Sequence, residues 1–407
     1  MKVNQNKLVI TRKGNQILSS YFEGDELVQI NVEDEEQESV LGNIYLGKVK
    51  NIVKNIDAAF VEIENKQMCY LALGDVTTPI FANPKKNDKV NVGDTVIVQV
   101  SKEDVKTKAP VVTTNITFTG KYVVLTHGKQ GIGISGKIRS QEERQRLKEF
   151  LKPYETESYG WIVRTNAEGI LSNSVNEGLF LQEIEVLRTL YENLLRFGLQ
   201  KSCFSKIYEA PAAYLCDVRN EREEKLDEII TDDKKLFKKM QEYLNCYQKA
   251  DLEKLRFYDD ESYPLERLYG IETKLEKALQ KNVWLKSGGT LVIEPTEALT
   301  VIDVNTGKAI KGNKKIQETF LKVNLEAAEA IAKQIRLRNL SGIIIVDFIG
   351  LDKEEDRKFL LKCLDEYLST DPVKTVLVDI TPLGLVEITR KKVRKPLHEQ
   401  IKRIRKM

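Results

Sequence analysis

The stretch Thr300-Val301-Ile302-Asp303-Val304-Asn305-Thr306-Gly307 is an apolar strand that closes on an acid, an amide and a glycine. Further on, Ile343-Ile344-Ile345-Val346-Asp347-Phe348-Ile349 repeats the theme, with Asp347 interrupting an apolar run. Between them, residues 315–339 read as a long helix, apolar at Ile316, Phe320, Val323, Ala327, Ile331 and Ile335. That spacing keeps one helix face buried. Strands at 290–293, 298–304, 342–348, 375–380 and 385–388, with a second helix at 353–368, make the region from about Val283 an α/β domain.

A carboxylate in a buried strand carries a desolvation cost unless it is paired or binds a cation. Near the carboxyl ends of strands it also lies where α/β folds place their sites. Two readings stand. In one, Asp303 and Asp347 hold a hard cation such as Mg²⁺, with the Asn305 amide oxygen beside them; no nitrogen or sulfur ligand is near, and Mg²⁺ takes one or two carboxylates and keeps its waters. In the other, Asp303 caps a turn and Asp347 pairs with Arg336 or Arg338.

Composition narrows the chemistry. The 407 residues allow two to four domains, and 41% hydrophobic with 31% charged residues describes a globular chain. No apolar run approaches the ~20 residues that cross a bilayer, and the N-terminus is polar, so the expected location is cytoplasmic, with no membrane partner. Five scattered cysteines form no CxxC pair, which argues against disulfides and a structural zinc cluster. Two histidines, His127 and His398, exclude chemistry that needs several imidazoles. The net charge of +3 is uneven: residues 390–407 carry nine Lys/Arg against Glu399, a +8 end on a −5 body. Such a tail is either a solvated terminus or an anion-binding one.

Toward the N-terminus, residues 1–38 read as short strands with a turn at Glu23-Gly24-Asp25, and 42–112 as all β. The density of strands suits a small closed barrel of the oligonucleotide-binding type. Its aromatics Tyr45, Phe60 and Tyr70, among Lys48, Lys50 and Lys108, could stack bases and hold phosphates. Phe60 fits the barrel core as well, because Ala58-Ala59-Phe60-Val61 is apolar. Residues 116–175 are mixed, with strands at 122–126 and 161–165 and a capping box, Ser140-Gln141-Glu142-Glu143, opening a helix to about Leu151. Gly131-Ile132-Gly133-Ile134-Ser135-Gly136 fits G-x-G-x-x-G, but the helix starts four residues too late to offer its amides to a pyrophosphate. It reads as a flexible connection. Helices dominate 176–280, one apolar at Ile184, Leu187, Tyr191 and Leu194.

Taken together these segments resemble the ribonuclease E/G family over nearly the whole chain. Gly42-Asn43-Ile44-Tyr45 through Ala58-Ala59-Phe60-Val61 resembles its S1 RNA-binding domain, and Arg164-Thr165 with Ala167-Glu168-Gly169 its 5′-end sensor. Glu297-Ala298-Leu299-Thr300, the Asp303 stretch, Asn324-Leu325-Glu326-Ala327-Ala328, Arg336-Leu337-Arg338-Asn339-Leu340, the Asp347 stretch and Leu383-Gly384-Leu385-Val386-Glu387 follow in the order of its catalytic region. The resemblance implies an RNase H-like subdomain split over 1–38 and a helical 211–280, an S1 barrel at 39–115, a 5′-sensor region at 116–210, and a DNase I-like α/β catalytic subdomain at 281–407.

It further implies roles. Asp303 and Asp347 would bind Mg²⁺, and Asn305 would hydrogen-bond the scissile phosphate or attacking water. Phe60, Tyr70 and Lys108 would guide single-stranded RNA, and Arg164 and Thr165 would hold a 5′-monophosphate in a pocket lined by Gly120 and Val124. The implied activity is endoribonucleolytic hydrolysis of rRNA, tRNA or mRNA to 5′-phosphate and 3′-hydroxyl ends; the rival is a non-catalytic S1-domain protein that binds RNA or the ribosome. Departures are local: Tyr70 stands for the second S1 aromatic, and Ala109-Pro110 follows Lys108 where Lys-Gly is usual. The family's Cys-Pro-x-Cys zinc link has no counterpart, so any homodimer is expected to form without it, and the shorter of the family's types is the better match.

Overall fold

Apolar alternation broken by Gly14 and Gly24, both at φ 59°, folds the N-terminus into a meander of β1 (Asn6–Lys13), β2 (Gln16–Glu23) and β3 (Glu26–Asp34). The computed structural model describes residues 5–36, 39–83, 85–103, 109–221, 225–307 and 316–402. The chain divides into two units, Met1–Glu35 with Leu226–Leu236 and Arg256–Met407, and Glu36–Lys225 with Phe237–Leu255.

In the second unit β4 (Ile44–Val53), β5 (Ala58–Glu62), β6 (Met68–Ala72), β7 (Thr95–Lys102) and β8 (Val111–Thr113) form a five-stranded barrel, closed because β4 pairs with both β5 and β7. Val49, Val61, Leu71, Val96 and Val98 fill it. Tyr45 is core too, 3% exposed with its hydroxyl accepting from Asn43 Nδ2, and so drops out as a stacking residue.

A four-stranded sheet follows, built from β9 (Thr117–Thr119), β10 (Val123–His127), β11 (Ile132–Ile134) and β12 (Tyr159–Val163) in the order β11-β12-β10-β9. The glycine-rich segment is therefore a strand, parallel to β12, and not a flexible connection. Helix α1 (Gln141–Leu151) starts where its cap places it, with Ser140 Oγ accepting from Glu143 N at 3.2 Å. The Glu143 carboxylate reaches Gly169 N at 3.1 Å. Helix α2 (Ser174–Asn193) buries Phe180, Ile184, Leu187 and Tyr191 against Trp161. His127 is structural: its ring nitrogens meet Tyr191 Oη and Thr78 O at 2.8 and 2.7 Å, and burial holds its pKa below the usual imidazole range.

The stretch 176–280 is less helical than its composition suggests. It holds β13 (Lys206–Tyr208), α3 (Ala213–Asn220), β14 (Glu228–Thr231), α4 (Lys234–Tyr247), β15 (Leu255–Phe257), α5 (Leu265–Leu268) and α6 (Ile271–Leu279). Strand β14 pairs in parallel with β1, giving a sheet ordered β15-β14-β1-β2-β3.

The last sheet has six strands: β16 (Asn282–Trp284), β17 (Thr290–Pro295), β18 (Leu299–Asn305), β19 (Gly342–Asp347), β20 (Thr375–Ile380) and β21 (Val386–Arg390). Its order is β16-β17-β18-β19-β21-β20, and β18–β19 is its parallel pair. Helices α7 (Ile316–Leu337) and α8 (Glu354–Ser369) supply Val323, Ala327, Ile331, Leu360 and Leu364 to a core shared with Leu291, Ile302, Ile344, Val346 and Ile388. Period-2 alternation sends the intervening strand residues to the opposite face.

The basic end is built into the fold at two points, although Lys391, Lys392 and Val393 between them are exposed. Arg390 is 4% exposed in β21, with Nε donating to Asp371 Oδ2 at 2.7 Å and Nη1 to Asn339 Oδ1 at 2.7 Å. Helix α9 (Leu397–Lys402) buries Leu397 fully.

Candidate active site

Asp303 and Asp347 are register partners across the parallel pair β18–β19. Both lie on the face away from α7, and Asn305, two residues on, donates from Nδ2 to Asp303 Oδ2 at 2.6 Å. Neither carboxylate bears the expected desolvation cost of a buried strand: Asp347 is exposed and Asp303 half-buried, because the strand ends open to solvent. What makes the pair unusual is proximity. Neighbouring strands lie about 4.8 Å apart, and like charges directly opposite each other repel. The arginine alternative is also displaced, since Arg336 Nη1 binds Glu23 at 3.1 Å and Arg338 Nε binds Gln334 at 2.7 Å.

Among the described residues no three His, Cys, Asp or Glu side chains gather around one point. The donor set is two carboxylates and an amide, which fits Mg²⁺, an ion that fills its remaining positions with water or phosphate oxygen.

Two residues of α7 brace backbone near this site, one just past β19 and one in the turn between β16 and β17. Asn324, fully buried, donates from Nδ2 to Ile349 O at 2.7 Å and accepts from Ile349 N at 3.1 Å, fixing the chain just past Asp347. Glu326 accepts from the backbone N–H of Lys286 and Ser287. That turn packs close to Asn305: a Cβ at Gly289 would stand 2.9 Å from Asn305 O, and one at Gly307 (φ 51°) 2.3 Å from Gly288 O. Asn324→Ala leaves both Ile349 groups unpaired, so it should cost about 1–3 kcal/mol. Urea unfolding with an unchanged midpoint would refute this.

In the barrel, Phe60 and Tyr70 are cross-strand partners with ring centroids 6.2 Å apart, edge to face. Both are half-buried while Ala58, Ala59 and Val61 are fully inside, so the reading of Phe60 as plain core fails. Lys108 lies outside the described residues, and Lys50 is paired with Glu62 at 2.6 Å.

Around β10, Arg164 Nη1 donates to Gly120 O and Nη2 to Asn220 Oδ1 at 2.8 Å. Burial, with the Arg219 guanidinium nearby, pushes the Arg164 pKa down to about 10. Thr165 Oγ1 lies 2.9 Å from Ser135 Oγ, and Val124 is half-buried in β10 opposite Thr119. The structure thus joins Arg164 to Gly120, with Thr165 next in the chain. Glu183 of α2 escaped the sequence reading: its carboxylate accepts from the N–H of Lys121, Tyr122 and Val123 at 2.6, 2.7 and 2.9 Å. A Cβ at Gly120 would stand 2.3 Å from it, so only glycine fits there. The available signal was an acid within the buried stripe of Phe180, Ile184 and Leu187.

A model of the ribonuclease E/G family matches residues 117–393, and one of the S1 RNA binding domain matches 40–115. The chain belongs to the ribonuclease E/G family. It is 34% identical over 385 residues to Ribonuclease G of Salmonella typhimurium, covering 92% of this chain and 77% of that protein. It is 35% identical over 401 residues to Ribonuclease G of Haemophilus influenzae, covering 96% and 80%. Ribonuclease E of a Nostoc species is 32% identical over 414 residues, 97% of this chain and 57% of that one. The ribonuclease E/G match spans Arg164, the Asp303 and Asp347 strands and the bracing Asn324, and the S1 match spans the barrel with Phe60 and Tyr70. Among the described residues no helix is long and apolar enough to cross a membrane.

Proposed function

We propose that this ribonuclease E/G family member is an endoribonuclease that hydrolyses single-stranded RNA in RNA processing, using Mg²⁺ at Asp303 and Asp347. The observation that carries the reading is the Asp303–Asp347 register, with Asn305 hydrogen-bonded beside it. When bound, Mg²⁺ supplies a Lewis acid that activates water and offsets charge growing on the phosphate. The two carboxylates position the ion. Asn305, tied to Asp303 through one Nδ2 hydrogen, keeps its second N–H for a phosphate oxygen and its amide oxygen for a water or a sugar hydroxyl. No imidazole is required, which accommodates a chain with two histidines.

The wider architecture is read in the same terms. The β15-β14-β1-β2-β3 sheet corresponds to the RNase H-like subdomain and the six-stranded sheet to the DNase I-like one, with the S1 barrel and sensor region inserted. Phe60 and Tyr70 serve as a stacking platform for RNA bases. Arg164 suits a 5′-monophosphate because its planar fork retains donors beyond those engaged by Gly120 and Asn220. A Mg²⁺-dependent cleavage assay on 5′-monophosphorylated single-stranded RNA, with an EDTA control, tests the core of the proposal; metal-independent cleavage would overturn it. On the sensor, 5′-monophosphorylated RNA is expected to be cut faster than its 5′-hydroxyl counterpart, and Arg164→Ala to erase the difference. Equal rates in the unaltered protein would remove the sensor assignment.

A further inference from the structure

The chain has two tryptophans, and they occupy opposite environments. Trp161 is 1% exposed in the core of its sheet, whereas Trp284 is 74% exposed on β16, the edge strand of the six-stranded sheet. An exposed indole on a sheet edge forfeits the burial that large aromatics usually gain, so its surroundings are informative.

Strand register fixes those surroundings. Trp284 pairs with Thr290, and Thr290 pairs with Asn305, so the three residues form one row across β16, β17 and β18. The next row is Asn282, Val292, Asp303 and Asp347. Directly paired residues project to the same face. The other face is independently assigned, since Val283, Leu291, Ile302, Val304 and Val346 all enter the core under α7. Trp284 therefore stands on the aspartate face, two strand spacings from Asn305, or about 10 Å between backbones.

We infer that Trp284 is a base-stacking residue for single-stranded RNA, receiving a base from a nucleotide next to the scissile phosphate. The inference rests on the proposed phosphate site at Asp303, Asn305 and Asp347. A flat, exposed aromatic in the same row as the amide that faces the phosphate gives the strand a platform with no sequence requirement, since every base offers a π face. Stacking on the edge strand would also set the direction in which RNA crosses the sheet, leading it from β16 toward β19.

The same indole supplies the test. Trp161 is shielded, so the component of intrinsic fluorescence that acrylamide quenches reports Trp284. Titration of the full chain, made inactive by Asp303→Asn, with a short single-stranded oligoadenylate should quench that component and protect it from acrylamide. Trp284→Ala should abolish the response and raise KM for cleavage by about ten-fold, within the range of single-base stacking energies. kcat should change far less, and Trp284→Phe should restore most of the affinity. Absence of quenching with the inactive protein still binding RNA overturns the inference while leaving the proposed chemistry intact. Normal cleavage by Asp303→Asn overturns the chemistry instead. A drop in sedimentation coefficient in Trp284→Ala, with KM unchanged, would make Trp284 a contact between copies of the chain and also overturn it.

Discussion

Asp303→Asn and Asp347→Asn are each expected to lower the cleavage rate by at least about 100-fold while RNA affinity stays close to that of the unaltered protein. Changes to groups that only support a metal ligand already cost 10–100-fold, so losing a ligand charge should cost no less. The stability effect runs the opposite way. Because the two carboxylates face each other across β18–β19, neutralising one removes a repulsive pair, for which opposed cross-strand charges suggest about 0.2–1 kcal/mol. In EDTA Asp347→Asn should therefore melt slightly higher than the parent, whereas Asp303→Asn also weakens the hydrogen bond from Asn305. Added Mg²⁺ should raise the melting temperature of the parent by mass action on the folded state and leave the variants nearly unmoved. Rate loss accompanied by destabilisation of Asp347→Asn in EDTA would mean that the aspartates are structural, and the metal assignment would fall.

A large effect on stability is expected at Asp371→Ala. Asp371 and Arg390 are both about 4% exposed, and Arg390 donates to both Asp371 oxygens, at 2.7 and 3.3 Å. Asp371 also accepts from Val373 N at 2.9 Å and Thr375 Oγ1 at 3.0 Å, tying the end of α8 to β20. Removing the carboxylate strands a buried guanidinium, a change that costs about 3–5 kcal/mol. Replacing both partners by apolar residues of similar volume should recover much of that loss, because desolvation of the pair offsets its attraction. Urea denaturation would show the single variant with a lowered midpoint and an unchanged slope. Equal midpoints for single variant and parent would show that the guanidinium finds water instead.

The pattern of residues made some of this visible and hid the rest for identifiable reasons. Strand β18, helix α7 and the start of α1 at Ser140 were legible because periodicity and capping are local. The pairing of Asp303 with Asp347 was not, since register between segments joined by a long helix is decided by packing. Arg390 counts toward a basic end, solvated or anion-binding, because a charge run records sign and not burial; the alternation Val386, Ile388, Arg390 points all three inward. The segment 131–136 reads as loop from its glycines, yet pairing with β12 holds it as a strand. Strand β14 was missed because four residues between charged stretches carry little period. Trp284 and Glu183 were invisible for opposite reasons, one an aromatic left outside and the other an acid drawn inside.

The parallel pairing of β1 with β14, Lys7 against Glu228 through Ile10 against Thr231, also governs how the chain must be made. A ribosome delivers β1, β2 and β3 at the outset but withholds the strand that covers β1. At ~5–20 residues per second that delay is roughly 10–40 s. Through it the nascent meander keeps an open edge at Leu8, Val9 and Ile10, residues that end fully buried, and open apolar edges recruit other strands. Chains that stop before Glu228 never cover it. Only translation past Thr231 supplies the strand that closes this edge.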